Sequence, residues 1–244
     1  LMFGDYKMAL FVKGLQNRIA FEPSTRIAND LFTMSGSFTR IGCPIGTLGS
    51  LIDEDEEKKV GDGCDWTVYD TEKEPSEIAV IWGGTWDTTD RKIESLFGNR
   101  WVDLNDPEYA MWIKGVYENL IEHLKLHRGV QQVAIVNYIG ETLSARQSDY
   151  TKFLQELEDR PDVIVLDLVT FFDQQKITDY LPDGAHVSIG EPTGFSPNND
   201  NSATDLYEKW LEPALCAALL KESPELLTTK TCPEIDNSPR VKQK

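Results

Sequence analysis

Three continuous apolar runs constrain the fold of this chain more than any other feature of its sequence. Residues 77–82, 130–138 and 162–168 each contain four or more apolar residues in succession. Runs of this length, rich in β-branched residues, are typical of strands buried on both faces of a parallel sheet. A parallel sheet needs crossover connections, so the segments between the runs should contain helices.

Helical periodicity occupies those segments. The predicted helices are 7–19, 106–127, 148–157 and 202–220, and two further strands are predicted at 1–3 and 30–34. Strands that alternate with helices define an α/β fold, here a three-layer α/β/α, flavodoxin-like, doubly wound sheet of about five parallel strands. We expect one domain over residues 1–222. A polar tail over 223–244 should be loosely ordered or strapped to the body by Cys232.

The net charge of the chain and the length of its apolar runs argue against a nucleic-acid partner and against a membrane-spanning segment. The chain has 24 basic and 41 acidic residues and a formal net charge of −17. Such a chain is not attracted to a phosphate backbone or an anionic membrane surface, so no nucleic-acid partner is predicted. No apolar run is long enough to span a bilayer. The chain begins without an initiator methionine or a basic leader, and we expect it to be a piece of a longer protein.

The four cysteines favour a disulfide over a metal site. No C-x-x-C spacing occurs, so no zinc site is predicted. No cofactor is predicted for the chain. Cys43 and Cys64 bracket a polar, glycine-containing loop, and a disulfide between them would restrict that loop. This pairing indicates an extracytoplasmic setting. The alternative is free thiols in a cytosolic protein.

Polar and glycine-rich segments follow the predicted strands. Because the carboxyl ends of parallel strands meet at one edge, residues 4–6, 35–42, 83–87 and 183–186 should converge there. His186 lies among turn formers after an apolar run and is the best candidate for a general base, with Asp183 to orient it. An Asp-x-x-His spacing is also compatible with a surface turn that exposes a histidine.

In their order along the chain these segments resemble the SGNH, or GDSL-like, hydrolase superfamily. The similarity is greatest to the extracytoplasmic SGNH domain fused to membrane acyltransferases that modify cell-surface sugars. The matching blocks span nearly the whole chain: Gly4-Asp5, Gly42-Cys43-Pro44, Cys64-Asp65-Trp66, Gly84-Thr85-Trp86-Asp87 and Asp183-Gly184-Ala185-His186.

The resemblance implies a role for each matching residue. His186 would be the base and Asp183 its orienting acid, and Tyr6 occupies the position of the nucleophilic serine. The residues implied for the oxyanion and substrate-binding positions are Asp5, Gly42, Gly84, Trp86 and Asp87.

Two of these positions depart from the family pattern. A tyrosine at position 6 is bulkier than serine, and its phenol is not readily deprotonated by an imidazole. Trp86 replaces an asparagine in the third block, and its indole N–H could donate one hydrogen bond in place of the amide. The Gly-x-Trp-Asp variant resembles the acyltransferase-fused branch.

The resemblance implies an O-acyl esterase or acyltransferase acting on an acylated glycan or a small ester, without a cofactor. It implies a periplasmic or cell-surface location, either fused to or associated with a membrane acyltransferase domain. Sugar contacts could come from the nearby aromatic and charged residues Trp82, Trp86, Trp101, Asp87, Asp90 and Arg91. Core packing explains the aromatic residues equally well. The alternatives are a catalytically inactive glycan-binding or accessory module and an ordinary flavodoxin-like ligand binder.

Overall fold

The structure, a computed structural model, describes residues 2–4, 6–21, 76–85, 87–88, 90, 97–98, 100–190, 200–227 and 230–240. The predicted strand at 30–34, the predicted loop at 35–42 and the predicted pairing of Cys43 with Cys64 therefore fall outside the described residues.

The described residues form a four-stranded parallel sheet. Its strands are β1 (Met2–Gly4), β2 (Ile78–Trp82), β3 (Gln132–Val136) and β4 (Val163–Leu166), and they neighbour one another in that order. The predicted α/β class is confirmed. Four strands are observed in the described part of the chain, where the sequence predicts about five for the whole.

Helices connect and flank the strands. The longer ones are α1 (Tyr6–Phe21), α2 (Pro107–Arg128) and α3 (Ser144–Glu158). Short helices α4 (Leu168–Asp173) and α5 (Ile177–Tyr180) follow β4, and α6 (Ser202–Leu206) and α7 (Glu212–Glu222) end the body. No helix in the described ranges has the length and apolar character needed to cross a bilayer.

Alternate residues of the strands face two separate cores, which makes the arrangement three-layered. Ala79 and Ile81 pack with α2 and α3 on one face of the sheet. Val80 and Trp82 pack with α1, α6 and α7 on the other. Two-residue alternation with apolar side chains on both sides explains why the strands read as unbroken apolar runs.

Helix α2 has chemically specified ends. The Asp106 carboxylate accepts hydrogen bonds from the backbone N–H groups of Glu108 (3.0 Å) and Tyr109 (3.2 Å), and Pro107 occupies the first turn. Gly129 ends the helix in the left-handed conformation at φ 69°. The start and end of this helix were therefore predictable from sequence.

The region 202–222, predicted as one helix, is interrupted. A π-helical turn, Tyr207–Leu211, separates α6 from α7. Pro213 lies just after this turn and has no N–H to offer the carbonyl of Lys209. That carbonyl instead accepts a hydrogen bond from the backbone N–H of Asp236 (3.0 Å).

Residues 230–240, here called the strap, lie against the body of the protein. A disulfide joins Cys232 to Cys216 of α7. Of the two alternatives predicted for the tail, strapping by Cys232 is the one observed.

We predict that Asp106→Ala will lower the free energy of unfolding by about 1 kcal/mol, because two N–H groups at the start of α2 lose their acceptor. Urea denaturation measures this change. Asp106→Asn is the matched control, since an asparagine retains the capping oxygen while losing the charge that faces Arg100. Equal losses in the two variants would show that the cap does not stabilise α2.

Candidate active site

Three strand ends meet at the carboxyl edge of the sheet. Gly4 at the end of β1 pairs with Trp82 at the end of β2, and α1 starts two residues after Gly4. The Thr85 hydroxyl donates to the carbonyl of Ile139 beyond β3 (3.0 Å). The buried Lys7 ammonium contacts the Thr85 hydroxyl oxygen. These bonds bring the first turn of α1, the loop after β2 and the loop after β3 together.

The loop of residues 181–186 is fastened to the same edge through one carbonyl. The Gly184 oxygen accepts hydrogen bonds from the Tyr138 hydroxyl (2.8 Å) and from the Glu141 N–H (2.9 Å). Gly184 has φ +79°, and a Cβ there would lie 2.6 Å from a carboxylate oxygen of Glu141. Position 184 therefore needs glycine for its conformation and for the close approach of Glu141.

Asp183 and His186 form a hydrogen-bonded pair. The His186 Nδ1 lies 2.8 Å from the Asp183 Oδ2. The other carboxylate oxygen accepts from the backbone N–H groups of Ala185 (2.9 Å) and His186 (2.7 Å). The His186 side chain is 20% exposed and that of Asp183 is 35% exposed, so both can be reached from solvent.

The protonation states of the pair follow from these contacts. Partial burial acts to raise the pKa of Asp183, but the hydrogen bonds from His186 and the two amides outweigh it, and the pKa is lowered. An ionised carboxylate can only accept, so Nδ1 is the nitrogen that carries the proton. In the neutral imidazole the acceptor lone pair is then on Nε2, as a general base requires.

Tyr138 is the donor that holds this loop in place. Its burial, and the charges of Glu141 and Asp183, raise the pKa of the hydroxyl well above its usual range. The hydroxyl therefore keeps its proton around neutral pH and can donate to the Gly184 carbonyl there.

Gly84 lies at a close contact between the loop after β2 and α3. Its φ is +89°, and a Cβ at this position would lie 2.4 Å from the Tyr150 ring. The Gly84 carbonyl accepts hydrogen bonds from the backbone N–H (3.1 Å) and the hydroxyl (3.0 Å) of Thr88. The turn after β2 therefore depends on glycine at this position.

Asp87, which the resemblance places in the substrate-binding set, is fully buried. Its carboxylate accepts a hydrogen bond from the Tyr117 hydroxyl (2.8 Å), and its carbonyl accepts one from Tyr109 (3.1 Å). Burial, and then the Asp87 charge, raise the pKa of Tyr117 well above its usual range, so the phenol stays protonated and donates. Asp87 holds the loop after β2 against α2 from a buried position, and its predicted contact with substrate stays a prediction.

Trp82 is a core residue. It is 2% exposed, stacks edge-on against Phe11 and donates its indole N–H to the Tyr138 carbonyl (2.9 Å). Trp101 is 52% exposed. Asp90 forms an ion pair with Arg146. Of the predicted sugar-contacting set, Trp101 and Asp90 thus lie at the surface, whereas Arg91 lies outside the described residues.

Of the remaining predicted site residues, the structure describes only the backbone of Tyr6. Tyr6 is the first residue of α1, which puts its backbone at the carboxyl edge, but its side chain lies outside what the structure describes. Asp5, Gly42 and Trp86 are outside the described residues as well. Among the described side chains, no cluster of three or more His, Cys, Asp or Glu could hold a metal ion.

Sequence reasoning missed the residues that join the segments of this edge. Lys7, Thr85, Tyr138 and Glu141 supply the hydrogen bonds and contacts between them. The rule that the carboxyl ends of parallel strands meet at one edge, which predicted the positions of the other loops, applies equally to the loop after β3. It would have indicated Tyr138 and Glu141, because Gly140 marks the turn that follows this strand.

Comparison of the chain with protein-family models, with curated proteins and with solved structures finds no match.

We predict that Gly84→Ala will lower the free energy of unfolding by about 2–5 kcal/mol. The left-handed backbone disfavours alanine, and the added methyl group overlaps the Tyr150 ring. Gly98→Ala is the matched control, because Gly98 also has a positive φ (+66°) but a Cβ there meets open space. It should cost about 1 kcal/mol. Equal losses in urea denaturation would contradict the contact with Tyr150.

We also predict a pH-dependent stability difference between the native chain and Asp183→Asn. The folded pKa of Asp183 is lowered, so its hydrogen bonds contribute stability that is complete above about pH 4 and disappears as pH falls through the folded pKa. Urea denaturation between pH 2 and pH 6 should show the two chains converging at the acid end. A difference that stays constant over this range would contradict the ionised role of Asp183.

Proposed function

We propose that this chain carries an SGNH-type acyl-ester site at the carboxyl edge of its sheet, with His186 as general base and Asp183 as its orienting acid. The observation that carries the proposal is the 2.8 Å hydrogen bond between His186 Nδ1 and the Asp183 carboxylate, in a loop fastened to that edge through Gly184. This bond sets the tautomer that acyl transfer needs.

The chemistry follows from that tautomer. Nε2 of His186 accepts the proton of an attacking hydroxyl, whose oxygen bonds to the carbonyl carbon of the ester and gives a tetrahedral oxyanion. Collapse of the oxyanion breaks the bond to the leaving alcohol, which takes the proton back from His186. The Asp183 carboxylate stabilises the imidazolium between these two steps.

The attacking group is the point at which this chain departs from the family. With Tyr6 at the position of the nucleophile, water or an acceptor hydroxyl attacks directly, and turnover is slow. The backbone N–H groups that follow Gly4 and those near Gly84 are proposed as oxyanion donors, together with Gly42 and the Trp86 indole. Asp5 would complete the first block of the site.

The finer fold assignment belongs to the same proposal. In a flavodoxin-like sheet the strand order is 2-1-3-4-5. The described order β1-β2-β3-β4 corresponds to the last four positions of that arrangement. The predicted strand at residues 30–34 would complete the sheet by pairing with β1 on the side opposite β2.

O-acylated carbohydrate is the proposed substrate class. An exposed tryptophan such as Trp101 offers a flat apolar face on which the C–H groups of a sugar ring can stack. The Cys216–Cys232 disulfide supports an oxidising, extracytoplasmic location, where cell-surface glycans occur. Fusion to, or association with, a membrane acyltransferase domain is part of this proposal.

A catalytically inactive glycan-binding module is the second candidate, and Tyr6 is the residue that favours it. A tyrosine ring would fill the space in which the acyl carbonyl must lie. The retained Asp183–His186 hydrogen bond supports the enzymatic candidate, because binding alone does not require an imidazole with a fixed tautomer.

We predict that the native chain hydrolyses a short-chain aryl ester slowly and that Tyr6→Ser increases kcat/KM, because a serine would place a compact nucleophile beside a base that is already oriented. Adding His186→Ala to the Tyr6→Ser variant should lower the rate about 10²–10⁴-fold, the usual contribution of a general base. Initial rates measured by release of the aryl alcohol test both changes.

Two controls make the result specific. Tyr6→Ala also removes the ring but supplies no nucleophile, so it separates restored chemistry from a cleft that has merely been opened. His127→Ala removes an exposed histidine on α2 that could hydrolyse an activated ester unspecifically, and it should have no effect. If Tyr6→Ser and Tyr6→Ala are equally slow as folded proteins and His186→Ala does not lower the rate of the native chain, the enzymatic proposal fails and the binding module remains.

A further inference from the structure

We propose that the strap is a positioning device for the Asp183–His186 pair and that Arg240 is the residue through which it acts. The claim about geometry stands on the described contacts alone. Its catalytic consequence rests on the proposed function.

The strap is attached to the body at several points. The disulfide joins Cys232 to α7, and the Asp236 N–H donates to the Lys209 carbonyl that Pro213 leaves without its helical donor. The Lys209 ammonium lies 3.0 Å from the Asp236 carboxylate. These attachments carry the chain to Arg240.

Arg240 is a buried residue held by two aspartates, of which Asp200 is buried and Asp205 is partly exposed. Its side chain is 0% exposed, and its two terminal nitrogens donate to the two carboxylate oxygens of Asp200 (2.6 and 2.8 Å). The Nε group donates to Asp205 (2.7 Å), and the Asp179 carbonyl accepts a further bond (2.8 Å). The guanidinium fork also lies over the Tyr180 ring, 5.9 Å from its centroid.

These partners flank the segment that carries His186. Asp179 lies just before residues 181–190, and the backbone carbonyl of Asp200 accepts a hydrogen bond from the Gly190 N–H at the other end (3.0 Å). The Arg240 side chain thus bonds the residue before the segment directly and reaches its far end through Asp200, whose carboxylate it binds. Ser202 adds a second link between the two ends, because its hydroxyl contacts the Tyr180 carbonyl and accepts from the Ser188 N–H (2.8 Å).

Only arginine satisfies this geometry. A planar guanidinium can donate two parallel bonds to Asp200 and a third to Asp205, whereas a lysine ammonium is a single point of charge. Burial raises the pKa of Asp205 although Arg240 acts to lower it. Loss of the fork takes the guanidinium away from the buried Asp200 carboxylate, which is a costly change at a buried ion pair.

Amide hydrogen exchange in the His186 loop tests the proposal without any catalytic assay. The reporters are the N–H groups of Ala185 and His186, both bonded to Asp183. Arg240→Lys should accelerate their exchange at least about tenfold at constant pH, since each hydrogen bond lost to a charged group weakens the closed loop by that order. The Nδ1–H signal of His186 in ¹⁵N-histidine-labelled protein should move in the same variant.

Arg160→Lys is the matched control. Arg160 also pairs with two carboxylates, those of Asp162 and Glu122, but it lies at the opposite end of β4 from the site. It should leave the two reporter amides unchanged. If Arg240→Lys folds and its reporters exchange as in the native chain, the strap does not position the pair.

The disulfide gives a second, independent variant in case Arg240→Lys does not fold. Cys216→Ser/Cys232→Ser releases the strap without disturbing the ion cluster directly, and it should accelerate the same amides. Unchanged exchange in this variant would overturn the proposal. Faster exchange in these variants, together with an inactive Tyr6→Ser chain, would support the positioning role of the strap and refute the proposed function. Unchanged exchange, together with an active Tyr6→Ser chain, would refute the positioning role and support the proposed function.

Discussion

The carbonyl oxygen of Gly184 accepts two hydrogen bonds, and the candidate site depends on them. Tyr138 and Glu141 donate these bonds from the loop that follows β3, so the position of residues 183–186 is set by the central part of the sheet. The same loop accepts the Thr85 bond from the segment after β2. The loop after β3 therefore fixes the positions of two other loops, the one after β2 and the one that contains His186.

The acid–base pair and the nucleophile position carry opposite implications for activity. The Asp183 carboxylate orients His186 through a charge-assisted hydrogen bond to Nδ1 and also accepts hydrogen bonds from two backbone amides. These three bonds lower the pKa of Asp183 and keep the carboxylate ionised. The residue at position 6 is a tyrosine, which is bulkier than serine and has a weakly acidic hydroxyl that an imidazole does not readily deprotonate. Under the proposed function, the chain would keep an oriented base while Tyr6 slows the reaction.

Much of the fold could be predicted from sequence because its signals are local. The apolar runs located β2, β3 and β4, and Asp106-Pro107-Glu108 marked the start of α2 because the cap lies within three residues of what it caps. The Asp183–His186 bond was predictable for the same reason. The short helix α4 was missed, since two of its first N–H groups are satisfied by Asn137, a residue 31 positions away from Leu168. The buried Asp87 and the Arg240 cluster were missed as well, because burial depends on which helix packs over a loop and no periodicity encodes it.

Covalent trapping tests the central claim, which is that His186 can act as the general base for a nucleophile at position 6. The Tyr6→Ser variant would be treated with an alkyl fluorophosphonate, which a base-activated serine attacks at phosphorus with loss of fluoride. Intact-mass and peptide analysis should show one phosphonyl group at position 6, and none in Tyr6→Ala or in Tyr6→Ser/His186→Ala. A folded Tyr6→Ser protein that remains unlabelled, or one that is labelled equally without His186, would contradict the account.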